Sequence, residues 1–257
     1  GGLRVEDWRD AVWRAVPQGA EPERFAERRE LLLAHVAPGD RVLDLGCGDG
    51  AFAAVLVAAG ADVAGADASG EAVRRAAARA PGARIEQVAE GAPLPFAEDA
   101  FDLVWCGETL EHVADPIRAL QQARRVLRPE GFCVITSCMD TPVHDHPSDY
   151  WRFTPQGFDM LVKDLSPRRT FSQGHPLFPH TVASIARKGG SEAPLELLDE
   201  AIPRIPGTLT QEISPHLAPD PFRPLGATLS DDEQAKYPEL MLHVAYHRIH
   251  ELRDEVD

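Results

Sequence analysis

Apolar residues recur at two different spacings along the chain. Over 5–16 they fall three and four positions apart, which predicts an amphipathic helix that ends at Pro17, and 22–36 predicts a second helix. Short, nearly unbroken apolar runs then follow, bounded by glycine and polar residues, and these are typical of buried strands. The predicted strands are 41–45, 61–67, 83–90, 100–108 and 132–138. The predicted helices between them are 50–60, 69–82 with Ser69 as its cap, and 115–131, which begins at Asp115-Pro116 and ends at Gly131.

This alternation of strand and helix predicts βαβ units, and hence an α/β fold. We expect a Rossmann-like, doubly wound, mostly parallel sheet of seven strands with helices on both faces, the last antiparallel strands coming from 169–188. Ligands of such sheets bind at the carboxyl ends of the strands, where the strand order reverses. The loops that follow the strands are therefore the place to look for chemistry.

The composition changes near Gly189 and Gly190. Residues 191–224 are rich in proline, and 231–256 has the apolar spacing of one helix. We therefore predict a domain over 1–189 that includes the N-terminal helices, and an extension over 190–257. The extension is a candidate for closing the active site or for joining two copies of the chain.

The formal net charge of −15 argues against nucleic acid as a partner, because a phosphate backbone would be repelled. Charges interrupt every apolar run well before the roughly 20 residues that a membrane span requires, and we expect a cytoplasmic protein with a small-molecule partner. Abundant alanine, arginine and proline suggest a bacterial source. The cysteines form no C-x-x-C pair, which predicts buried thiols and neither a zinc site nor disulfides. They are Cys47, Cys106, Cys133 and Cys138.

The loop after the first strand, GCGDGA over 46–51, satisfies the dinucleotide pattern G-x-G-x-x-G/A, and Asp67 follows about 20 residues later. One interpretation is therefore a nicotinamide-dependent oxidoreductase. However, Asp44 and Asp49 would oppose a pyrophosphate in a partly dehydrated site. The ammonium and sulfonium of S-adenosylmethionine suit such acids better, and this cofactor is the favoured interpretation.

Four motifs in order resemble the class I S-adenosylmethionine-dependent methyltransferases, over roughly 27–188. They are VLDLGCGDG (42–50), GADAS (65–69), VAEGAPLPFAEDAFDLVWCGETLEHVADP (88–116) and RVLRPEGFCVITS (125–137). The family's commoner D-A-E-x-L-P-F stretch appears here as EGAPLPF, with Ala92 in place of its second acid.

The resemblance implies the cofactor contacts. Asp44 and the backbone of Gly46 and Gly48 would meet the methionine part, and Asp67 would hold both ribose hydroxyls. Glu90 with Gly91 would lie near the adenine amino group, and Ala68 along the adenine ring. The predicted cofactor-binding set is completed by Cys47 and Cys106.

The methyl acceptor is predicted from the loops after strands four and five. The [D/N]-P-P-[Y/F] element of enzymes that methylate bases or amide nitrogens is replaced here by CGETLEHV, which argues against methylation of bases or amides. In HDHPSDYWRFTP, a segment that recurs in a bacterial branch of the family, His144 or His146 would take the proton, with Asp145 or Asp149 orienting the ring. His112 is a second candidate base. Magnesium prefers oxygen ligands, so we predict no metal.

We therefore expect a methyltransferase that acts on a small molecule, most simply an O-methyltransferase of a sugar or a specialised metabolite. Two alternatives stay open from the sequence. One is the NAD-dependent oxidoreductase, and the other is a non-catalytic methyltransferase-like subunit that binds a cofactor or a partner protein.

Overall fold

The computed structural model describes the backbone of residues 5–141, 148–175, 178–189 and 210–212, and the side chains of residues 9–141, 148–174 and 179–189. The helices are α1 (Val5–Ala15), α2 (Phe25–Leu33), α3 (Ala51–Ala58), α4 (Gly70–Arg79), α5 (Pro116–Val126) and α6 (Pro155–Leu161), with a 3-10 helix at Leu110–His112. The strands are β1 (Arg41–Leu45), β2 (Asp62–Asp67), β3 (Arg84–Gln87), β4 (Phe101–Gly107), β5 (Leu127–Cys138), β6 (Arg168–His175), β7 (Phe178–Arg187) and β8 (Thr210–Glu212).

These strands form one sheet in the order β3-β2-β1-β4-β5-β7-β6-β8. Strands β1 to β5 pair in parallel, whereas β7 is antiparallel to β5 and β6 is antiparallel to β7. The predicted α/β, Rossmann-like sheet is confirmed. The order reverses between β1 and β4, so the loops after these strands flank the crevice where ligands bind in such folds.

The short strand β8 is an addition to the seven predicted strands. It pairs with β6 through its backbone and comes from the segment predicted as an extension. The chain divides after Glu212 into two units, of which only the first contains described residues. The domain boundary near Gly189 stays a prediction, and the predicted helix over 231–256 lies outside the described residues.

The helix starts follow from their capping residues. The Ser69 hydroxyl accepts a hydrogen bond from the Ala72 amide at 3.1 Å, and the Asp115 carboxylate accepts one from the Arg118 amide at 2.9 Å. The predicted end of α5 at Gly131 is wrong. The helix ends at Val126 because Leu127 is already fully buried and paired with β4, so the chain enters β5 without a loop.

The sheet has a hydrophobic core on each face. Successive residues of β4 alternate between them: Trp105 packs with α2 and α3, and Cys106 packs with α5 and α6. All four cysteines are buried and unpaired, as predicted. Within the described part of the chain, every helix is too short or too polar to cross a bilayer.

Candidate active site

A cavity of about 550 Å³ lies at the carboxyl ends of β1 to β4. Its size is within the range of small-molecule binding sites. Its lining includes Arg9, Val12 and Trp13 of α1, Gly46 after β1, Asp67 to Ser69 after β2, Glu90 to Ala92 after β3, and Glu108, Thr109 and His112 after β4. The topology thus brings the predicted cofactor motifs together at the point where the strand order reverses.

The glycine loop after β1 fits closely between two side chains. Gly46, Gly48 and Gly50 have φ angles of 77°, 52° and 84°, a region that favours glycine. A methyl group on Gly46 would overlap the Thr109 side chain, and one on Gly48 would lie 2.6 Å from a ring carbon of Trp13. Gly46 and Gly48 therefore leave no room for a side chain.

The Asp67 carboxylate lies at the end of β2 and faces the cavity. Its Oδ2 accepts a hydrogen bond from the Gly48 amide and its Oδ1 accepts one from the Ser69 amide, both at 2.9 Å. Burial raises its pKa, although these amides and the nearby Arg9 charge oppose the rise. The two amides fix the orientation of the carboxylate.

Asp44 lies beneath this loop, only 2% exposed. Its Oδ2 meets no hydrogen-bond partner among the described residues. Burial, and then the Asp67 charge, raise its pKa to about 7. A buried acceptor left unsatisfied beside a second carboxylate suits a cationic ligand and disfavours a phosphate.

Asp49 does not add a free negative charge to the site, contrary to the expectation from the sequence. Its Oδ2 accepts a hydrogen bond from Arg79 of α4 at 2.6 Å, so a protein cation already neutralises this carboxylate. The acidic character of the loop therefore depends on Asp44 and Asp67. The sequence places Asp49 in the loop but does not reveal its partner, which lies 30 residues away.

Cys47 and Cys106 do not line the cavity with their side chains. The Cys47 thiol is buried beside the Gly48 carbonyl, and Cys106 is fully buried in the core that contains α5. Burial raises the pKa of both thiols well above the usual range. Any contact of these two residues with a cofactor would have to come from their backbone.

The predicted adenine end of the cavity is formed by Ala68, Glu90 and Gly91, all in its lining. Glu90 forms an ion pair with Arg9 of α1, and its Oε1 accepts a hydrogen bond from the Ala114 amide at 2.7 Å. Glu90 therefore links the loops after β3 and β4 to the N-terminal helix.

Of the predicted catalytic residues, His144 and His146, together with Asp145, lie outside the described residues. His112 lines the cavity, and its Nδ1 is 3.0 Å from the Ser148 carbonyl. Because a carbonyl only accepts, Nδ1 carries the proton when this ring is neutral.

Asp149 is described, and its carboxylate forms an ion pair with Arg152, whose Nη2 donates to Oδ2 at 2.7 Å. Arg152 also donates to the Thr141 carbonyl at 3.1 Å. Asp149 thus helps to bridge the two ends of the segment that contains the predicted histidines.

Two glutamates at the β4 end of the cavity were missed by the sequence analysis, Glu108, which is partly buried, and Glu111, which is buried. Glu108 lines the cavity and forms an ion pair with Arg28 of α2 at 2.9 Å, while the Thr136 hydroxyl donates to it at 3.0 Å. Burial, and then the charge of Glu111, raise the pKa of Glu108 to about 7. The only sequence signal was the pair of acids in CGETLEHV, and nothing indicated that Arg28 would be buried beside them.

Glu111 is 1% exposed, and it accepts a hydrogen bond from the Ser137 hydroxyl at 3.0 Å. Glu108, Glu111 and Cys138 place their ligand atoms within 4.8 Å of one another, so within the described ranges this is where a cation would be held if one bound. The Arg28 guanidinium already supplies one positive charge there. The absence of a resident metal stays a prediction.

Comparison with known proteins gives a family match for part of the chain. Residues 43–135 match the model of a methyltransferase domain. The ubiquinone biosynthesis O-methyltransferase of Bordetella avium is 31% identical over 164 residues, which are 62% of this chain and 65% of that protein. The 27-O-demethylrifamycin SV methyltransferase of Amycolatopsis mediterranei is 40% identical over 124 residues, 44% of this chain and 45% of that protein.

A solved structure extends the likeness to the fold. The S-adenosylmethionine-dependent methyltransferase of Aquifex aeolicus superposes with a TM-score of 0.54 at 17% identity, covering 70% of this chain and 98% of that one. The chain spans less than two thirds of the length of either curated relative.

Proposed function

We propose that the chain transfers a methyl group from S-adenosylmethionine to an oxygen atom of a small molecule, since residues 43–135 match the model of a methyltransferase domain. The domain implies this cofactor. The observation that carries the proposal is the glycine loop beside Asp67, with the unsatisfied Oδ2 of Asp44 beneath it. The family match also favours this cofactor over the nicotinamide alternative.

The proposed cofactor contacts follow the cavity lining. Asp67 would accept the ribose hydroxyls through the second lone pairs of its oriented oxygens, and Glu90 would lie near the adenine amino group. Asp44 would stabilise the positive charge of the methionine part through the low-dielectric interior, since it lies beneath the cavity rather than in its lining. When bound, the cofactor supplies an electrophilic methyl group on a sulfonium.

The acceptor oxygen would attack the methyl carbon in line with the departing sulfur. An O–C bond forms as the C–S bond breaks, and the hydroxyl proton passes to a base. Alignment provides much of the catalysis. His112 and Glu108 are the candidate bases among the described cavity residues, and His144 and His146 stay proposals from the sequence.

The two relatives support an oxygen acceptor, because one is named as an O-methyltransferase and the other for an O-demethylated specialised metabolite. We propose a hydroxyl of a specialised metabolite or sugar as the acceptor, in the cytoplasm of a bacterium. The bacterial sources of the relatives and the four free cysteines, which suit a reducing compartment, support this setting. Dimerisation through 190–257 also stays a proposal, and the mass in solution of the chain with and without this segment tests it.

The experiment is transfer of a labelled methyl group from S-adenosylmethionine to a panel of catechols, quinols and sugars. We expect label in at least one hydroxyl acceptor, and its loss in Asp67→Ala. Asp62→Ala is the matched control, since Asp62 begins the same strand and is exposed. Unchanged transfer in Asp67→Ala, or transfer to no acceptor class, would contradict the proposal.

A further inference from the structure

We propose that the N-terminal helix α1 is part of the cofactor site, with Arg9 as a positioning residue for the adenosine end and Trp13 as the cover of the glycine loop. This inference is based on the proposed function, since it takes S-adenosylmethionine as the ligand. Neither the predicted cofactor contacts nor the matched domain, which begins at residue 43, includes this helix.

Helix α1 is fixed to the cofactor side of the sheet by its own polar groups. Asp10 Oδ1 accepts hydrogen bonds from the Ser69 hydroxyl at 2.6 Å and from the Glu71 amide at 3.0 Å. The hydrogen bond from Ser69 is the main cause of the lowered pKa of Asp10, so this carboxylate stays ionised. Just after the helix, the Val16 carbonyl accepts from Arg75 of α4 at 2.7 Å. Helix α1 is thus joined to α4 and to its cap Ser69, which lies two residues beyond Asp67.

Trp13 lies directly on the glycine loop. A Cβ on Gly48 would be 2.6 Å from the indole ring, so only a bare backbone permits this approach. The Gly48 amide is the donor that orients Asp67 Oδ2. The indole therefore covers the residue whose amide orients the ribose-binding carboxylate, and it also lines the cavity. Removing the ring would open this hydrogen bond to water.

Arg9 acts on both carboxylates of the predicted adenosine end. It forms an ion pair with Glu90, and its charge also opposes the burial-raised pKa of Asp67. These two acids come from the ends of β2 and β3 and would repel each other without a cation nearby. Arg9 therefore places one cation beside both carboxylates, at the edge of the cavity that all three residues line. A site that is already ordered before binding loses less conformational entropy when the ligand binds.

This arrangement predicts a specific pattern of affinities. S-adenosylmethionine and S-adenosylhomocysteine share the adenosine end and differ in the charge at sulfur. The loss of Arg9 should therefore weaken both ligands by a similar factor, about tenfold, since a charge-assisted contact is removed. The affinity for adenosine alone should fall by a similar factor.

The test is calorimetric titration of the full chain with these three ligands, in the wild type and in Arg9→Gln. Arg14→Gln is the matched control, because Arg14 is on the same helix with its side chain 62% exposed and only a 3.9 Å contact to Asp10. Arg9→Lys should recover part of the affinity. Trp13→Ala should speed the dissociation of S-adenosylmethionine and the hydrogen exchange of the Gly48 amide.

The outcomes separate this inference from the proposed function. If the wild type binds and both Arg9→Gln and Trp13→Ala behave like it, α1 has no part in the site while the methyltransferase proposal stands. Equal weakening by Arg14→Gln would also overturn the inference, because the effect would then belong to helix charge in general. If the wild type binds none of the three ligands, both proposals fail. A parallel loss for all three in Arg9→Gln alone, with an unchanged melting temperature, supports it.

Discussion

The two ends of the cavity are held together by different kinds of contact. At the cofactor end, backbone amides orient Asp67, and they come from loops that directly follow β1 and β2. At the β4 end, the side chains of Arg28 and Thr136 hold Glu108, and they come from α2 and β5. The first end is organised by local loop geometry and the second by a largely buried ion pair between distant elements.

This difference affects what each end contributes to stability. A backbone amide that donates to a carboxylate costs no side-chain entropy, and it fixes a geometry that a cofactor can use. A buried ion pair has a large desolvation cost, and breaking it leaves an uncompensated charge in the interior. The β4 end should therefore be the more sensitive to side-chain substitution.

The largest expected effect is that of Arg28→Leu. Arg28 is 5% exposed, and its removal leaves the partly buried Glu108 and the buried Glu111 without their cation. We expect a loss of about 3–5 kcal/mol in the free energy of unfolding, measured by urea denaturation. Arg29→Leu, at an exposed position of the same helix, should change it by less than about 0.5 kcal/mol. A combined Arg28→Leu and Glu108→Gln variant should recover part of the loss, and failure to recover any would argue against the ion pair as its cause.

Gly46→Ala tests the cofactor end with a smaller effect on stability. The positive φ angle costs about 1–2 kcal/mol for alanine, and the new methyl must also displace Thr109. Gly39→Ala is the matched control, because Gly39 has a φ of 89° and nothing within 4 Å of an added Cβ. We expect similar backbone strain in both variants but lost S-adenosylmethionine binding only in Gly46→Ala. Normal binding by Gly46→Ala would contradict the close fit of the loop.

Asp44→Asn should separate binding from stability. Its pKa is raised to about 7 in the fold from an ordinary 3.8, so the stabilisation from the protonated carboxyl is complete below pH 4 and is lost as the pH rises through 7. The amide cannot ionise, so at pH 8 the variant should be more stable than the wild type. The gain in the free energy of unfolding should be only about 1 kcal/mol, because the amide brings a buried hydrogen-bonding group that also lacks a partner. The variant should also bind S-adenosylmethionine more weakly, whereas its affinity for S-adenosylhomocysteine should change less. A variant less stable than the wild type at pH 8 would contradict the burial of the charge.

The smallest effect is expected for Trp151→Phe, beyond the β4 end. The Trp151 indole N–H donates to the Val113 carbonyl at 2.9 Å, but the residue is half exposed and water can replace the donor. We expect a loss of under about 1 kcal/mol in the free energy of unfolding, with cofactor affinity unchanged. A large loss of cofactor affinity would show that the two ends of the cavity are coupled, and would contradict their separate organisation.

The contrast between the two ends also explains what the sequence could predict. The glycine loop, Asp67 and the switch point are visible because each depends on residues adjacent in the chain and on the strand-helix alternation. Three ion pairs of the site join residues that are far apart in the sequence. The separation is 30 positions for Asp49 and Arg79, 80 for Glu108 and Arg28, and 81 for Glu90 and Arg9. Such pairs depend on how the helices pack onto the sheet, which periodicity does not specify. The apolar spacing over 5–16 likewise predicts α1, but not that Trp13 lies on Gly48.

The methyltransferase proposal depends on binding of S-adenosylmethionine in the cavity where the strand order reverses. Calorimetric titration of the full chain with S-adenosylmethionine and with NADH tests it most directly, with Asp67→Asn as the variant that keeps the shape of the side chain. We expect saturable binding of S-adenosylmethionine that NADH does not affect and that Asp67→Asn strongly weakens. Binding of NADH at the same site, or S-adenosylmethionine binding that Asp67→Asn leaves unchanged, would contradict it.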